Sequence, residues 1–335
     1  MSSPEPPAAR RYQPLPGPEY RRRIVWANVA ALAGLHAAAA YGVCRVHHAH
    51  VLTHLWAVAL IGWTGLATTA GAHRLFTHRS YKAAPALRLL LLVGQTMVSE
   101  NCLWTWVRDH RQHHKHSETN ADPHNANRGF FFAHMGWLMV RKHPDVIAAG
   151  RGVDMSDMDA DWMVATQRKY YFALWVPLGL VLPVGLPVLL WAETWPNAVL
   201  VAFFIRMTVT LHGTWLVNSW AHLYGTRPYD RTIGPVESSL VSLCSLGEGW
   251  HNYHHAFPWD YRASEFGQHL SVTTAVLDAL AALGLVYDRK AASEETVRRR
   301  AQRTGDGSHP RYGSDGVPEH LAPEPEPRPE LCGGD

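Results

Sequence analysis

Four apolar runs of about 20 residues each decide the class of fold open to this chain, because a helix of that length crosses about 30 Å of hydrocarbon. They occupy 24–43, 52–72, 172–192 and 197–217, and they come as two tight pairs with only a short turn inside each pair. Alanine-rich core helices share this composition, but four such runs in hairpin-like pairs favour membrane spans. The mean hydropathy of −0.16 hides the segregation, since the polar ends offset the apolar middle. Arg21, Arg22 and Arg23 stand directly before the first run. By the positive-inside rule they set the N-terminus, and with an even number of spans both termini, in the cytosol. The expected fold is an all-α integral membrane protein: four transmembrane helices under a cytosolic helical cap. A fifth apolar stretch, 85–98, is too short to span and suits a buried or interfacial helix.

The rest of the chain divides around this unit. Residues 1–23 form a polar tail in which Met1 to Gly17 is rich in Pro and lacks the apolar core of a cleavable signal peptide. Residues 24–287 form the membrane domain. Residues 288–335 are charged, with Glu294, Glu295, Arg298, Arg299, Arg300 and Arg303 at helical spacings. From 304 onward Gly, Pro and Glu dominate, which predicts a largely disordered end. A net charge of +3 without a basic stripe excludes nucleic acid as the obvious partner. The cysteines Cys44, Cys102, Cys244 and Cys332 lie far apart, which argues against a disulfide framework or a zinc ribbon.

Against this apolar background stand 22 histidines. His73 and His78 follow the second run. His110, His113 and His114 repeat the H-x-x-H-H pattern of His251, His254 and His255, which follow the fourth run. On a helix, positions i, i+3 and i+4 share one face. Topology puts all three clusters on one side of the membrane, as a shared metal centre requires, and neighbouring imidazoles are free to bind different ions. His73 and His78 are then expected to give one ligand to each of two metals. His47, His48, His50 and His54 fall in the turn on the opposite side and are set aside. His36, His212 and His269 are isolated and read as packed or hydrogen-bonded. The clusters contain no cysteine and no H-E-x-x-H, which disfavours structural zinc, iron–sulfur and zinc-protease readings. The single E-x-x-H, Glu248 to His251, cannot build a carboxylate-rich di-iron bundle. Imidazole suits several metals, and spacing alone does not choose among them.

The segments GAHRLFTHRSYKA (71–83), WVRDHRQHHKHSETNADPHNANRGFFFAHMGWLMVRKHPDV (106–146), NSWAHLYGTRPYD (218–230) and GEGWHNYHHAFPWDYR (247–262) resemble the membrane acyl-CoA desaturases of the stearoyl-CoA (Δ9) type. The resemblance runs from about Trp26 to Val286. It implies a histidine-rich di-iron centre held by His73, His78, His110, His113, His114, His222, His251, His254 and His255, with Asn218 acting through water. It also implies contacts to the acyl-CoA headgroup from Asn28, Asn101, Arg108, Asp109, Arg141, Lys142 and Trp215. Two Fe2+ ions, O2, a fatty acyl-CoA such as stearoyl- or palmitoyl-CoA, and electrons from a separate cytochrome b5 and its reductase follow from the same resemblance. So does residence in the endoplasmic reticulum, although a bacterial membrane suits the chemistry equally. Ile61 and Ala72 are the candidates for the end of the acyl tunnel. Trp220, between Asn218 and His222, departs from the family pattern, which has a smaller residue there. His251 argues against front-end enzymes, whose third box begins with Gln. A desaturase of other regiochemistry, a fatty-acid or sphingolipid hydroxylase, and a membrane metal transporter remain as alternatives; a transporter would place its ionisable ligands near mid-membrane.

Overall fold

The computed structural model describes residues 23–313. The tail expectations for 1–22 and 314–335 lie outside the described residues. Four helices are long and apolar enough to cross a membrane: α1 (Trp26–His48), α2 (Val51–Thr77), and, later in the chain, a second pair at Tyr171–Trp191 and Trp195–Leu223. Between the pairs lie α3 (Pro85–Val98), α4 (Leu103–His116) and the short α5 (Phe130–His134). The second pair is α6 and α7; α8 (His251–Ala256), α9 (Val272–Ala282) and α10 (Glu294–Thr304) follow them, and shorter helices such as Pro144–Arg151 and Trp162–Lys169 add to the cap. The chain is thus a helical integral membrane protein. Its only ladder among the described residues joins Lys82–Ala83 to Val286–Tyr287.

The spans are held in two ways that suit a medium without water, where every backbone polar group must find a partner inside the protein. At the end away from the cap, the buried Glu193 carboxylate accepts from His50 N at 2.8 Å, the Thr53 hydroxyl at 2.6 Å and Asn197 Nδ2 at 3.1 Å. One side chain therefore ties the first hairpin to the second. Inside the bundle, the fully buried Arg206 donates to the carbonyls of Ala202, Met97 and Gly179 at 3.0–3.3 Å. Gly179 and Ala202 belong to stretches where α6 and α7 widen into π-helix, and Met97 lies at the C-terminal end of α3. The guanidinium collects carbonyls that the irregular turns leave available.

Under the cap, α3 packs Leu87, Leu91 and Leu92 against Leu75, Phe76, Leu103, Val107 and Leu277. Leu89 and Leu90, on its other face, are about half exposed, as an interfacial helix requires. The end of the described chain differs from the sequence expectation. Val297 and Ala301 of α10 are buried against Tyr229, Tyr253 and Phe257. Beyond the helix, 305–313 is packed rather than disordered, because the buried His309 ring pairs with Glu265 at 2.9 Å and Tyr312 donates to Glu294 at 2.9 Å. Composition does not reveal these pairings, which join positions far apart in sequence.

Candidate metal centre

The last eleven residues of α2, 67–77, are π-helical and wholly buried. A π-turn closes i→i+5 bonds, and His78 N donates to His73 O at 3.1 Å. This explains the spacing of five between these histidines: in a widened turn it places both rings on one side, whereas an α-helix would splay them. The structure therefore corrects the expectation that they serve different metals. His73, His78, His110, His114 and His254 gather in one group, and His113, His222, His251 and His255 in another.

Each H-x-x-H-H box feeds both groups. His110 and His114, four apart on α4, go to the first group and His113 to the second; His251 and His255 go to the second and His254 to the first. The boxes are thus crossed, and His114 stacks on His255 with centroids 4.1 Å apart where the groups meet. His222 reaches the second group from the cap end of α7. Asn218, one turn earlier on the same face, lines the cavities beside the centre. All nine histidines implied by the resemblance are brought together.

The rings fit metal ions rather than each other. His254 Nε2 lies 2.9 Å from His73 Nε2 and 3.0 Å from His114 Nε2. His110 Nε2 is 3.2 Å from both His78 and His114, and His251 Nε2 is 3.1 Å from both His222 and His255. An imidazole nitrogen has one in-plane position, holding either a proton or a lone pair, so these contacts cannot all be hydrogen bonds. Ligands at right angles, about 2.1 Å from one ion, are separated by roughly 3.0 Å, which is the spacing observed. His113 Nε2 is buried with no hydrogen-bond partner, as a ligand atom facing a metal position would be.

Carboxylates that the sequence reading did not assign to this role orient the rings. Glu248 accepts from His73 Nδ1 at 2.7 Å, Asp122 from His113 Nδ1 at 3.0 Å, and Glu118 from His222 Nδ1 at 3.2 Å. Each fixes a tautomer that leaves Nε2 for the metal. Burial would raise the Glu248 carboxyl, but Arg74, at 2.6 Å, and His73 hold it at about 2. Burial, together with mutual repulsion, pushes His110, His113, His114, His251, His254 and His255 well below the ordinary imidazole range, so these rings are neutral, as metal binding would require. The lone E-x-x-H now has a reading: Glu248 serves His73, on another helix, instead of joining His251.

Two cavities meet at the centre. One, of about 250 Å³, runs from the cap side past Asn101, Asp109 and Trp215; the other, of about 110 Å³, runs along Ile61, Gly65, Val209 and Leu246. Both are lined by Trp106, His110, Thr214 and Asn218. Glu100 braces this junction, accepting from Trp106 Nε1 at 2.9 Å and facing the Thr214 hydroxyl. Burial pushes its carboxyl up to about 7 despite the two hydrogen bonds. A third cleft of about 440 Å³ opens outside, lined by Trp104, Arg108, Asp109, Lys142 and Arg151. Arg108 and Lys142 both bond Asp109, each at 2.6 Å. Asn28 and Arg141 line none of these cavities: Asn28 Nδ2 donates to Leu138 O at 2.7 Å, and Arg141 N to Arg23 O at 2.9 Å, where the start of α1 meets the cap. Ile61 lines the inner cavity, but Ala72 is packed among Leu75, Leu87 and Leu91 and is not in its wall. Trp220 points away from the ligands, because Asn218 and His222 share the opposite face of α7.

Residues 49–289 match the fatty acid desaturase family. The chain is 50% identical over 300 residues to the acyl-CoA Delta-9 desaturase of Acheta domesticus, covering 89% of this chain and 84% of that protein. It is 51% identical over 298 residues to stearoyl-CoA desaturase 4 of Mus musculus, covering 89% and 84%. To the stearoyl-CoA desaturase of Homo sapiens it is 49% identical over 298 residues, covering 89% and 83%. With nine histidines gathered in two groups that could each hold a metal ion, four helices able to span a membrane, and matches of this extent, the chain belongs to the fatty acid desaturase family.

Proposed function

We propose that this protein is a Δ9 acyl-CoA desaturase that inserts a cis double bond into a saturated fatty acyl-CoA such as stearoyl-CoA or palmitoyl-CoA. In that reaction O2 is reduced to two waters, taking two hydrogens from adjacent methylenes together with two electrons and two protons. The observation that carries the reading is the shared wall: Trp106, His110, Thr214 and Asn218 line both the outer and the inner cavity, and we place there, beside the histidine groups, the bend of an acyl chain that occupies the two. The names of the relatives, acyl-CoA Delta-9 and stearoyl-CoA desaturases, point the same way. Holding the reacting carbons at one place is the protein's main contribution, since correct placement can supply most of a rate enhancement.

The ions assigned to the two histidine groups are iron, which when bound supplies the activation of O2. The chain's own residues do the rest. Glu248, Asp122 and Glu118 keep the ligand rings oriented, Glu100 holds Trp106 and Thr214 at the bend, and the apolar inner wall excludes water. Arg108 and Lys142 offer charge-assisted bonds to the phosphates of CoA in the outer cleft. Asn101, Asp109 and Trp215 line the cavity between that cleft and the bend, while Asn28 and Arg141 stand outside the cavity walls, where the start of α1 meets the cap. We assign a cytosolic cap and cytosolic termini, an endoplasmic reticulum membrane, and electron supply by a separate cytochrome b5 and its reductase.

The test is expression in a desaturase-deficient yeast, with double-bond positions determined in the extracted fatty acids. Monoenes unsaturated between C9 and C10 are expected; a hydroxylated product, or no monoene, would sink the reading. Ile61→Phe narrows the inner cavity and is expected to shift the product ratio from 18- toward 16-carbon chains. An unchanged ratio would remove Ile61 from the tunnel's end.

A further inference from the structure

Trp220 breaks the family pattern and takes no part in the metal centre, so its surroundings ask for another account. Its ring meets Tyr224 with centroids 4.9 Å apart at 60°, and Phe130 at 6.4 Å and 86°; Phe130 and Tyr224 are 6.4 Å apart at 37°. The three rings do not stack on one another. They stand around a hollow of about 430 Å³ lined by these three residues alone. Tyr224 caps the α7 span, so the hollow lies at the level where lipid headgroups meet the protein.

From this geometry we infer that Phe130, Trp220 and Tyr224 form an aromatic cage for the quaternary ammonium of a choline-type membrane lipid. Aromatic faces carry negative charge density and attract cations set over them. No Asp or Glu of the described residues lines the hollow, and the Tyr224 hydroxyl is the one side-chain oxygen among its three lining residues, so a primary ammonium entering it would give up more hydration than these side chains replace. A trimethylammonium group has no N–H to satisfy and presents only methyl groups to the rings. Arg128, two residues before Phe130, puts a cation in the same segment, of the right sign for the lipid's phosphodiester; its guanidinium lies 3.5 Å over Phe132. The cage faces away from Asn218 and His222, so it binds lipid beside the metal centre and not in the substrate path.

The test uses the full-length metal-loaded protein in dodecyl maltoside, titrated with dihexanoyl phosphatidylcholine or dihexanoyl phosphatidylethanolamine and read by native mass spectrometry. The choline lipid is expected to bind roughly tenfold more tightly. Trp220→Ala abolishes the preference, Trp220→Phe retains most of it, and turnover of acyl-CoA is unchanged in both. Tyr224→Ala, at the exposed cap of α7, gives the same reading if Trp220→Ala does not fold. Equal binding of the two lipids, or a preference that survives both alanine variants, would show the rings to be interfacial anchors only and overturn the proposal.

Discussion

Histidine does two different jobs in this molecule, and the contrast lies in how the ring nitrogens face one another. At the cap, nine rings point Nε2 atoms at two shared positions. Deeper in the bundle, His36 on α1, His212 on α7 and His134 on α5 are joined head to tail. His36 Nδ1 lies 2.7 Å from Leu32 O, and its Nε2 is 3.0 Å from His212 Nε2. His212 Nδ1 is 2.8 Å from His134 Nε2, and His134 Nδ1 is 2.9 Å from the Ser219 hydroxyl. A carbonyl can only accept, so His36 carries its proton on Nδ1 and accepts at Nε2. His212 then donates from Nε2 and accepts at Nδ1, and His134 donates from Nε2; the chain ends at the Ser219 hydroxyl, whose one proton lies between His134 Nδ1 and Trp215 O, the latter at 2.8 Å. Three protons thus satisfy the bonds from Leu32 O through His36 and His212 to His134 with every ring neutral. The cap has no such solution, and a buried polar cluster without internal closure is one that requires a ligand. Geometry separates the two kinds of cluster where residue type does not.

The sharpest way to break this comparison is at His254, whose Nε2 touches two other ligands. His254→Ala is expected to abolish desaturation and to lower bound iron well below that of the parent protein. Metal analysis of the purified variant checks it. Full iron content with full activity would mean that the cap cluster is closed by hydrogen bonds after all.

The sequence showed the two boxes because both repeat one short pattern on short helices. It showed the four spans because length and apolarity suffice to mark them. Which ring joins which of the two groups is not legible. That depends on the crossing of α4 and α8 and on the π-turn at 67–77, where a run of small residues, Ala67 to Ala72, permits a tight approach that no spacing rule anticipates. His222 entered only through the family resemblance, since a lone histidine at a span end carries no pattern. Glu118, Asp122 and Glu248 were hidden for another reason: each reaches a ring on a different segment, or across a turn. As isolated residues His36 and His212 are expected to be packed or hydrogen-bonded, but their partner His134 sits in an FFFAH segment that carries no spacing signal, so the chain they form has no mark in the sequence. Ala72 is not in the inner cavity's wall because adjacency to His73 in sequence puts it on a different face of the turn.

A smaller effect is expected one step out from the metals. Glu248→Gln keeps the shape of the side chain but removes the charge that Arg74 and His73 share. Metal affinity should fall about 10–100-fold, the usual cost of losing an orienting carboxylate. Competition with a chelator measures it, and an unchanged affinity would show that packing alone orients His73. No equivalent variant exists in the deeper chain, which contains no carboxylate. Its rings orient one another.

The smallest effects separate the clusters by their response to acid. In the metal-free protein the cap imidazoles are held below their ordinary value of 6.5, with burial as the leading cause. Below about pH 6.5 the unfolded chain takes up protons that the folded cap refuses. The stability contribution is therefore intact above that pH and is lost progressively as the pH falls toward the depressed folded values. Bound metal occupies the same nitrogens and should delay the loss. His212→Leu acts differently, because it deletes the link between His36 and His134 without touching a ligand. It should cost about 1–3 kcal/mol through the two bonds it removes and the partners it leaves unpaired, and that cost should already be present at pH 8. Thermal unfolding of the metal-free parent and variant from pH 8 to pH 5 tests both halves. Two curves offset at pH 8, each falling below about pH 6.5, keep the clusters distinct. A variant that loses its metal as well would instead make the deeper chain part of the centre's support, because Ser219, where the chain ends, is the neighbour of Asn218.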